Sequence, residues 1–217
     1  MSLSKRFKIG LLWSMGEQFA RKGVQAFVTL MLAYYLVPED FGLIAIVSFL
    51  FALSAQIADS GLKAALIRLE EVHAADFDTA FFANIVLSLL AYGVICLASP
   101  LIADFYKDSK IVNLVRSGGI VICIQSVSVV QVAILTRSLN FRALMSANIP
   151  AAILSGGAAI LLARFGYGVW ALVFQMLLSS LVTAVLLWVK SSWRPRVRFS
   201  LQRFWCMYRF GYAIMAS

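Results

Sequence analysis

The sequence predicts an all-α membrane protein, a bundle of six transmembrane helices followed by the start of a seventh helix. Hydrophobic residues make up 62% of the 217-residue chain and charged residues only 13%, and the mean hydropathy is +0.88. Soluble globular chains contain about 45–50% apolar and about 25% charged residues. A soluble chain of this length could not hide so much apolar surface, so the composition favours a protein dissolved in lipid.

Six apolar segments are long enough to cross a bilayer, whose core of about 30 Å needs about 20 helical residues. Turn-forming residues separate them, with Pro38 after the first segment, Ser99-Pro100 after the third and Gly166 after the fifth. The short connections predict antiparallel neighbours. The predicted spans, which form one lobe over residues 1–190, are 9–36, 41–66, 78–98, 112–136, 143–163 and 168–189.

Two further segments follow the sixth span. Residues 191–203 form a basic linker, and residues 204–217 are apolar again but too few to cross a bilayer. We interpret them as a cytoplasmic linker and the truncated start of helix 7. The sequence therefore predicts a fragment of a longer protein.

The distribution of basic residues predicts a cytoplasmic N-terminus. With that orientation thirteen of the nineteen Lys and Arg residues face the cytoplasm and four face outward, which is the excess that the positive-inside rule describes. The net charge of +9 is then explained by topology, and we expect no nucleic-acid partner. The basic run 190–209 is expected to face membrane lipids with anionic headgroups.

The first predicted helix carries a polar face. At about 100° per residue its polar arc contains Glu17, Gln18, Arg21, Lys22, Gln25 and Thr29. Arg21 lies about 18 Å along the helix, near mid-membrane. A charge there costs on the order of 2.5–3.5 kcal/mol. We therefore predict a substrate path, and the excess of cations favours an anionic group such as phosphate.

A simpler interpretation of this face stays open. Glu17 and Arg21 stand four residues apart and could form an ion pair within the helix that packs it against a neighbour. That pair would leave Gln18 and Lys22 unexplained.

A second polar cluster lies at the cytoplasmic end of the second predicted span. Gln56, Asp59 and Lys63 share one helical face, either as an interfacial ion pair between Asp59 and Lys63 or as a gate or coupling contact. Further polar residues inside the spans either line a cavity or form hydrogen bonds between helices, namely Asn84, Ser88, Gln125, Gln131, Asn148, Gln175 and Ser179.

Signatures of catalysis are missing from the sequence. There is no phosphate-binding loop, nucleophile elbow or zinc motif, and the one histidine has no partner at ligand spacing. The three cysteines stand singly in apolar segments. We therefore expect no enzyme activity, no catalytic residues, no metal and no cofactor.

Five segments in order resemble one protein family: residues 36–43 (LVPEDFGL), 58–67 (ADSGLKAALI), 99–106 (SPLIADFY), 137–142 (RSLNFR) and 166–172 (GYGVWAL). They resemble the polysaccharide transport branch of the MOP flippase superfamily, the Wzx-type lipopolysaccharide or exopolysaccharide flippases. The resemblance implies a MATE-like transporter of about 12–14 helices in two lobes around a central cavity. This chain would be the N-terminal lobe, and the missing C-terminal lobe would be its partner.

The resemblance also implies an activity. The family moves undecaprenyl-diphosphate-linked oligosaccharide units across the bacterial inner membrane by alternating access, and a polysaccharide polymerase is an implied partner. Arg21 and Lys22 would hold the diphosphate, and Glu17 would orient Arg21 or exchange a proton. Gln18, Gln25 and Thr29 would form hydrogen bonds to the diphosphate or the proximal sugar.

Three alternatives stay open. The chain could belong to a lipid II flippase or to a drug or cation antiporter of the same superfamily. It could also be a membrane scaffold in a glycan-assembly complex that transports nothing.

Overall fold

The computed structural model describes the backbone of residues 3–59, 61–69 and 71–215. Within these ranges it does not describe the side chains of residues 3–15, 17, 20, 21 and 212–215. Every regular element in these ranges is an α-helix. The helices are α1 (Leu3–Tyr35), α2 (Pro38–Asp59), α3 (Leu62–Arg68), α4 (Ala74–Tyr106), α5 (Lys110–Gly118), α6 (Ile120–Ser126), α7 (Val129–Arg137), α8 (Phe141–Arg164), α9 (Val169–Lys190) and α10 (Leu201–Met215).

Four helices in the described ranges, α2, α4, α8 and α9, are long and apolar enough to cross a membrane. The helices α5 to α7 form two segments, Lys110–Ser126 and Val129–Arg137, which are bent by 40° relative to each other. They add a fifth span if the two segments cross the membrane together. Only 17–33% of the residues in the most apolar windows of the four helices are buried inside the bundle. Many of the other apolar side chains on these helices are exposed, such as Leu97, Leu161 and Val185, which is stable in lipid and not in water. The chain is a multi-pass membrane protein.

The predicted count of six spans is not established by these helices. The first helix, α1, is 33 residues long but is not among the apolar spans found in the described part of the chain. It carries Gln18, Lys22 and Gln25, so its polarity matches the face predicted from the sequence. The count of six spans stays a prediction.

The third predicted span ends at Ser99-Pro100, whereas α4 continues through Pro100 to Tyr106. A proline inside a helix leaves the carbonyl four residues earlier without its backbone donor. That carbonyl belongs to Cys96, and it accepts a hydrogen bond of 2.7 Å from the Ser99 hydroxyl. The neighbouring serine therefore allows the helix to pass through the proline.

The second predicted span is divided into α2 and α3. Gly61 lies between them with φ of +76°, a left-handed conformation that glycine adopts without strain. The backbone of Gly61 lies against that of Gly211 on α10, and a Cβ atom on Gly61 would lie 2.6 Å from the Gly211 carbonyl carbon. The break in this span is thus the place where α10 crosses the bundle.

Both ends of α3 are capped by charged side chains from neighbouring helices. A carboxylate oxygen of Asp59 accepts a hydrogen bond of 3.1 Å from the Lys63 backbone N–H. At the other end the Arg137 guanidinium, on α7, donates to the carbonyl oxygens of Leu66 at 3.1 Å and Leu69 at 2.5 Å. An anion at the N-terminus and a cation at the C-terminus also suit the helix dipole.

The fourth predicted span is interrupted at residues 127–128, between α6 and α7. The freed Val127 carbonyl accepts a hydrogen bond of 3.1 Å from the Trp188 indole N–H. With its amide oriented to satisfy both neighbours, Gln131 donates to the same carbonyl and accepts from Trp188. A helix break at membrane depth is tolerated when the protein supplies such partners.

The long helices α1, α8 and α9 pack side by side. Gly156 on α8 has the side chain of Val28 on α1 directly against it, so the lack of a Cβ atom permits this close approach. A larger residue at position 156 would clash with Val28. This packing sets the position of α1 relative to α8 and α9.

The linker between α9 and α10 is fixed to the start of α4. Asp78, which is buried, accepts a hydrogen bond of 3.0 Å from the Arg196 backbone N–H. Asp76 forms an ion pair of 2.7 Å with Arg203 on α10. The predicted linker 191–203 is therefore bound to the bundle, and α10 begins within it at Leu201.

We predict that Gly211→Ala destabilises the protein, because the added methyl group would displace α10 from Gly61. Gly93→Ala on α4 is the matched control, since a Cβ atom there meets nothing within 4 Å. Overpacking costs about 1–3 kcal/mol, which lowers the unfolding midpoint by a few degrees. The control should be neutral or stabilising, because alanine favours a helix. Equal midpoints for the two variants in detergent would contradict the Gly61–Gly211 contact.

We also predict that Arg137→Leu lowers the unfolding midpoint. It removes charge-assisted hydrogen bonds to the end of α3 that contribute about 1.5–3 kcal/mol. Arg198→Leu, a change of the same kind at an exposed linker residue, serves as the control and should leave the midpoint close to wild type. A midpoint for Arg137→Leu that matches the control would show that the cap does not stabilise the fold.

Candidate functional site

A cavity of about 690 Å³ lies among α1, α3 and the helices from α6 to α9. Its volume is within the range of small-molecule sites in proteins. Its lining is rich in polar side chains for a membrane bundle. The polar lining residues are Lys22, Gln25, Lys63, Gln125, Ser128, Asn148, Ser155, Gln175, Ser179, Ser180 and Thr183. The apolar ones are Val121, Val129, Val132, Ala152, Met176 and Leu187.

The charge of this cavity is positive. Lys22 reaches it from α1 and Lys63 from α3, and no carboxylate is among the lining residues that the structure describes. Two ammonium groups beside a polar hollow are suited to an anion with several oxygen atoms, such as a phosphate or diphosphate. Lys63 is half-buried, whereas Lys22 is exposed.

The position of Lys63 depends on the break between α2 and α3. On a continuous helix Asp59 and Lys63 would share a face, as the sequence predicts. In the structure the Asp59 carboxylate bonds the backbone N–H of Lys63 instead. No ion pair within 4 Å joins Asp59 to the Lys63 ammonium in the described ranges, although the two charges attract each other at longer range. Lys63 thus contributes to the cavity lining.

The other polar walls are neutral. Gln125 on α6, Asn148 on α8 and Gln175 on α9 line the cavity with the hydroxyl groups of Ser179 and Thr183. The Ser128 hydroxyl, in the break between α6 and α7, is buried and has no hydrogen-bond partner in the described part of the chain. This part of the wall offers amide and hydroxyl groups and no charge.

The structure brings together only some of the residues predicted to bind substrate. Lys22 and Gln25 line the cavity, but Gln18 is exposed outside its lining. Thr29 is also outside, and its hydroxyl donates a hydrogen bond of 2.8 Å to the Gln25 carbonyl. The side chains of Glu17 and Arg21 lie outside the described residues. Substrate binding by all six stays a prediction.

The predicted gate residues are also separated. Lys63 lines the cavity, Asp59 caps α3, and Gln56 is exposed on α2 away from the lining. A role in gating or coupling stays a prediction for each of them.

The remaining polar residues inside the spans divide into two groups. Gln125, Asn148, Gln175 and Ser179 line the cavity. Asn84, Ser88 and Gln131 do not, and the Asn84 amide donates to the Ala80 carbonyl within its own helix.

Sequence reasoning missed two contributors to the site. Ser128 carries no motif, and its place in a helix break is not visible in the apolar pattern. Arg137 carries no signal of a structural role in the sequence, although its guanidinium caps the helix that carries Lys63. No group of three or more His, Cys, Asp or Glu residues that could hold a metal ion occurs in the described ranges.

The chain is similar to proteins of polysaccharide biosynthesis. The profile of a family described as "Polysaccharide biosynthesis protein" matches residues 31–217. The succinoglycan biosynthesis transport protein ExoT of Rhizobium meliloti (strain 1021) is 31% identical over 206 residues, 94% of this chain and 42% of that protein. The teichuronic acid biosynthesis protein TuaB of Bacillus subtilis (strain 168) is 26% identical over 157 residues, 71% of this chain and 32% of that protein.

The chain spans less than half the length of these two relatives. No solved structure matches it, so a MOP-type fold with two lobes stays a prediction. The family profile covers most of the chain, and ExoT is similar along nearly all of it, which confirms the resemblance found in the sequence motifs. The chain belongs to the polysaccharide biosynthesis protein family, as a membrane protein whose relatives include a polysaccharide transport protein.

Proposed function

We propose that the chain is the cavity-bearing part of a flippase that moves undecaprenyl-diphosphate-linked oligosaccharide units across the bacterial inner membrane for surface polysaccharide biosynthesis. The observation that carries the proposal is the pair of lysines, Lys22 and Lys63, that meet at one cavity from different helices. An ammonium group is costly within hydrocarbon unless water or an anion accompanies it. A lipid diphosphate supplies that anion at membrane depth.

Alternating access is the transport mechanism that we propose for this cavity. A cavity inside one lobe opens to one side of the membrane at a time when the second lobe rocks against it. A C-terminal lobe, which we propose because the chain covers less than half of each relative, would provide the second wall. The N-terminus would lie in the cytoplasm, as the positive-inside rule predicts. The function is transport and not catalysis, in keeping with the name of ExoT as a transport protein.

The charge of the cavity separates this proposal from a drug or cation antiporter. A site for cationic compounds needs carboxylates, and the lining residues that the structure describes include none. A lipid II flippase would carry the same diphosphate, but the names of the two relatives favour surface polysaccharides. A polysaccharide polymerase is the expected recipient of the exported unit.

We predict that the double variant Lys22→Gln with Lys63→Gln, in the full-length protein, lowers polysaccharide export at least about tenfold. Charge-assisted hydrogen bonds to phosphate contribute about 1.5–3 kcal/mol each, so their loss weakens diphosphate binding strongly. Export is measured in cells that contain the variant as their one copy of the gene, with its membrane level determined by immunoblot. Arg21→Gln with Lys22→Gln tests the predicted Arg21 contact in the same assay.

Lys110→Gln is the control, since Lys110 is exposed and outside the cavity lining. Export at the wild-type rate from the Lys22 and Lys63 double variant, at wild-type membrane level, would contradict the proposal. A scaffold without transport activity predicts that outcome.

A further inference from the structure

The cavity wall outside its two lysines has a different chemistry. Gln125, Asn148 and Gln175 bring neutral amide groups to one hollow from three different helices. An amide donates and accepts hydrogen bonds, as a sugar hydroxyl does, whereas an ammonium group only donates. The lysines come from α1 and α3, whereas these three amides come from α6, α8 and α9; α1 also brings the amide of Gln25 to the lining.

Gln175 places an amide on this neutral wall. The residue is only 8% exposed overall, and it lines the cavity. An amide at a cavity wall offers both a donor and an acceptor to an occupant with hydroxyl groups.

Gln131 on α7 shows what a structural glutamine looks like in the same bundle. It is fully buried and outside the cavity lining, and its amide is paired with the Val127 carbonyl and the Trp188 indole N–H. Gln175 differs from Gln131 in its location, because Gln175 lines the cavity and Gln131 does not.

Ser128 adds an independent observation. Its hydroxyl is buried without a partner in the described ranges, at the helix break that forms part of the cavity wall. Serine hydroxyls in the helices near it bond to backbone carbonyls of their own helix, as the Ser126 hydroxyl does with the Cys123 carbonyl at 2.8 Å. Ser128 lacks such a bond although its neighbour has one.

We propose that Gln125, Ser128 and Gln175 form a sugar subsite, which binds the hydroxyl groups of the sugar attached to the lipid diphosphate. The subsite rests on the proposed function, because Lys22 and Lys63 must hold the diphosphate for the first sugar to reach the amides. It is distinct from the predicted contacts of Gln18 and Thr29, which lie outside the cavity lining. The subsite selects for a glycan on the lipid and the lysines select for the diphosphate.

The test compares two probes on the full-length protein in nanodiscs: undecaprenyl diphosphate alone, and the same lipid carrying one hexose, with glucose and galactose tried in turn. The variant is Gln125→Met with Gln175→Met, which preserves side-chain length and removes the hydrogen-bonding groups. Its affinity for the glycosylated lipid should fall about tenfold, while that for the bare lipid stays within about twofold of wild type. Asn113→Leu, at an exposed amide on α5 outside the lining, should change neither affinity.

The outcomes separate the subsite from the flippase proposal. If the wild-type protein binds neither probe, the proposed function fails and the subsite fails with it. Suppose that the wild type binds both probes and that the double variant unfolds at the wild-type midpoint. The subsite alone is then overturned if the variant keeps both affinities, or if both affinities fall by the same factor. Should the double variant unfold, Gln175→Met alone is judged by the same criteria.

Discussion

An ammonium group inside a membrane bundle needs water or an anion beside it, and the arrangement of this protein follows from that constraint. The exterior of the bundle is apolar, with Leu97 82% and Phe105 79% exposed on α4. Lys22 and Lys63 instead border a polar hollow of about 690 Å³. The helix α8 packs against both α1 and α9, and all three helices contribute residues to that hollow.

The breaks in the helices supply the cavity with residues that straight helices would point elsewhere. Gly61 ends the continuous course of α2, and the caps from Asp59 and Arg137 fix α3, which brings Lys63 to the hollow. The break between α6 and α7 likewise brings Ser128 to the hollow. Irregular backbone at membrane depth is stable where protein or a cavity surrounds it. Both breaks border the cavity, and side chains hold each of them.

The sequence was sufficient for the membrane class and for part of the site. Apolar segments predicted the long helices, and the polar arc of the first helix predicted Lys22 and Gln25 as cavity residues. Helical periodicity assumes an unbroken helix, so it placed Lys63 with Asp59 and missed Ser128. The third predicted span ends at Pro100, because a proline normally interrupts a helix. The hydrogen bond from Ser99 to the Cys96 carbonyl, which lets the helix continue, is a local contact that no apolar pattern encodes. The arc also included Thr29, whose hydroxyl bonds its own helix.

Chemical labelling of a cysteine at position 25 tests the water-filled hollow beside Lys22 most directly. Gln25→Cys is introduced into the full-length protein after replacement of every native cysteine, which within this chain means Cys96, Cys123 and Cys206. Membrane vesicles are then treated with a charged maleimide. A hollow that holds a lipid diphosphate predicts rapid labelling that added undecaprenyl-diphosphate-linked oligosaccharide slows, with Leu97→Cys, on the lipid-facing side, unlabelled. Absence of labelling at position 25, or labelling that the lipid-linked sugar leaves unchanged, would contradict the account.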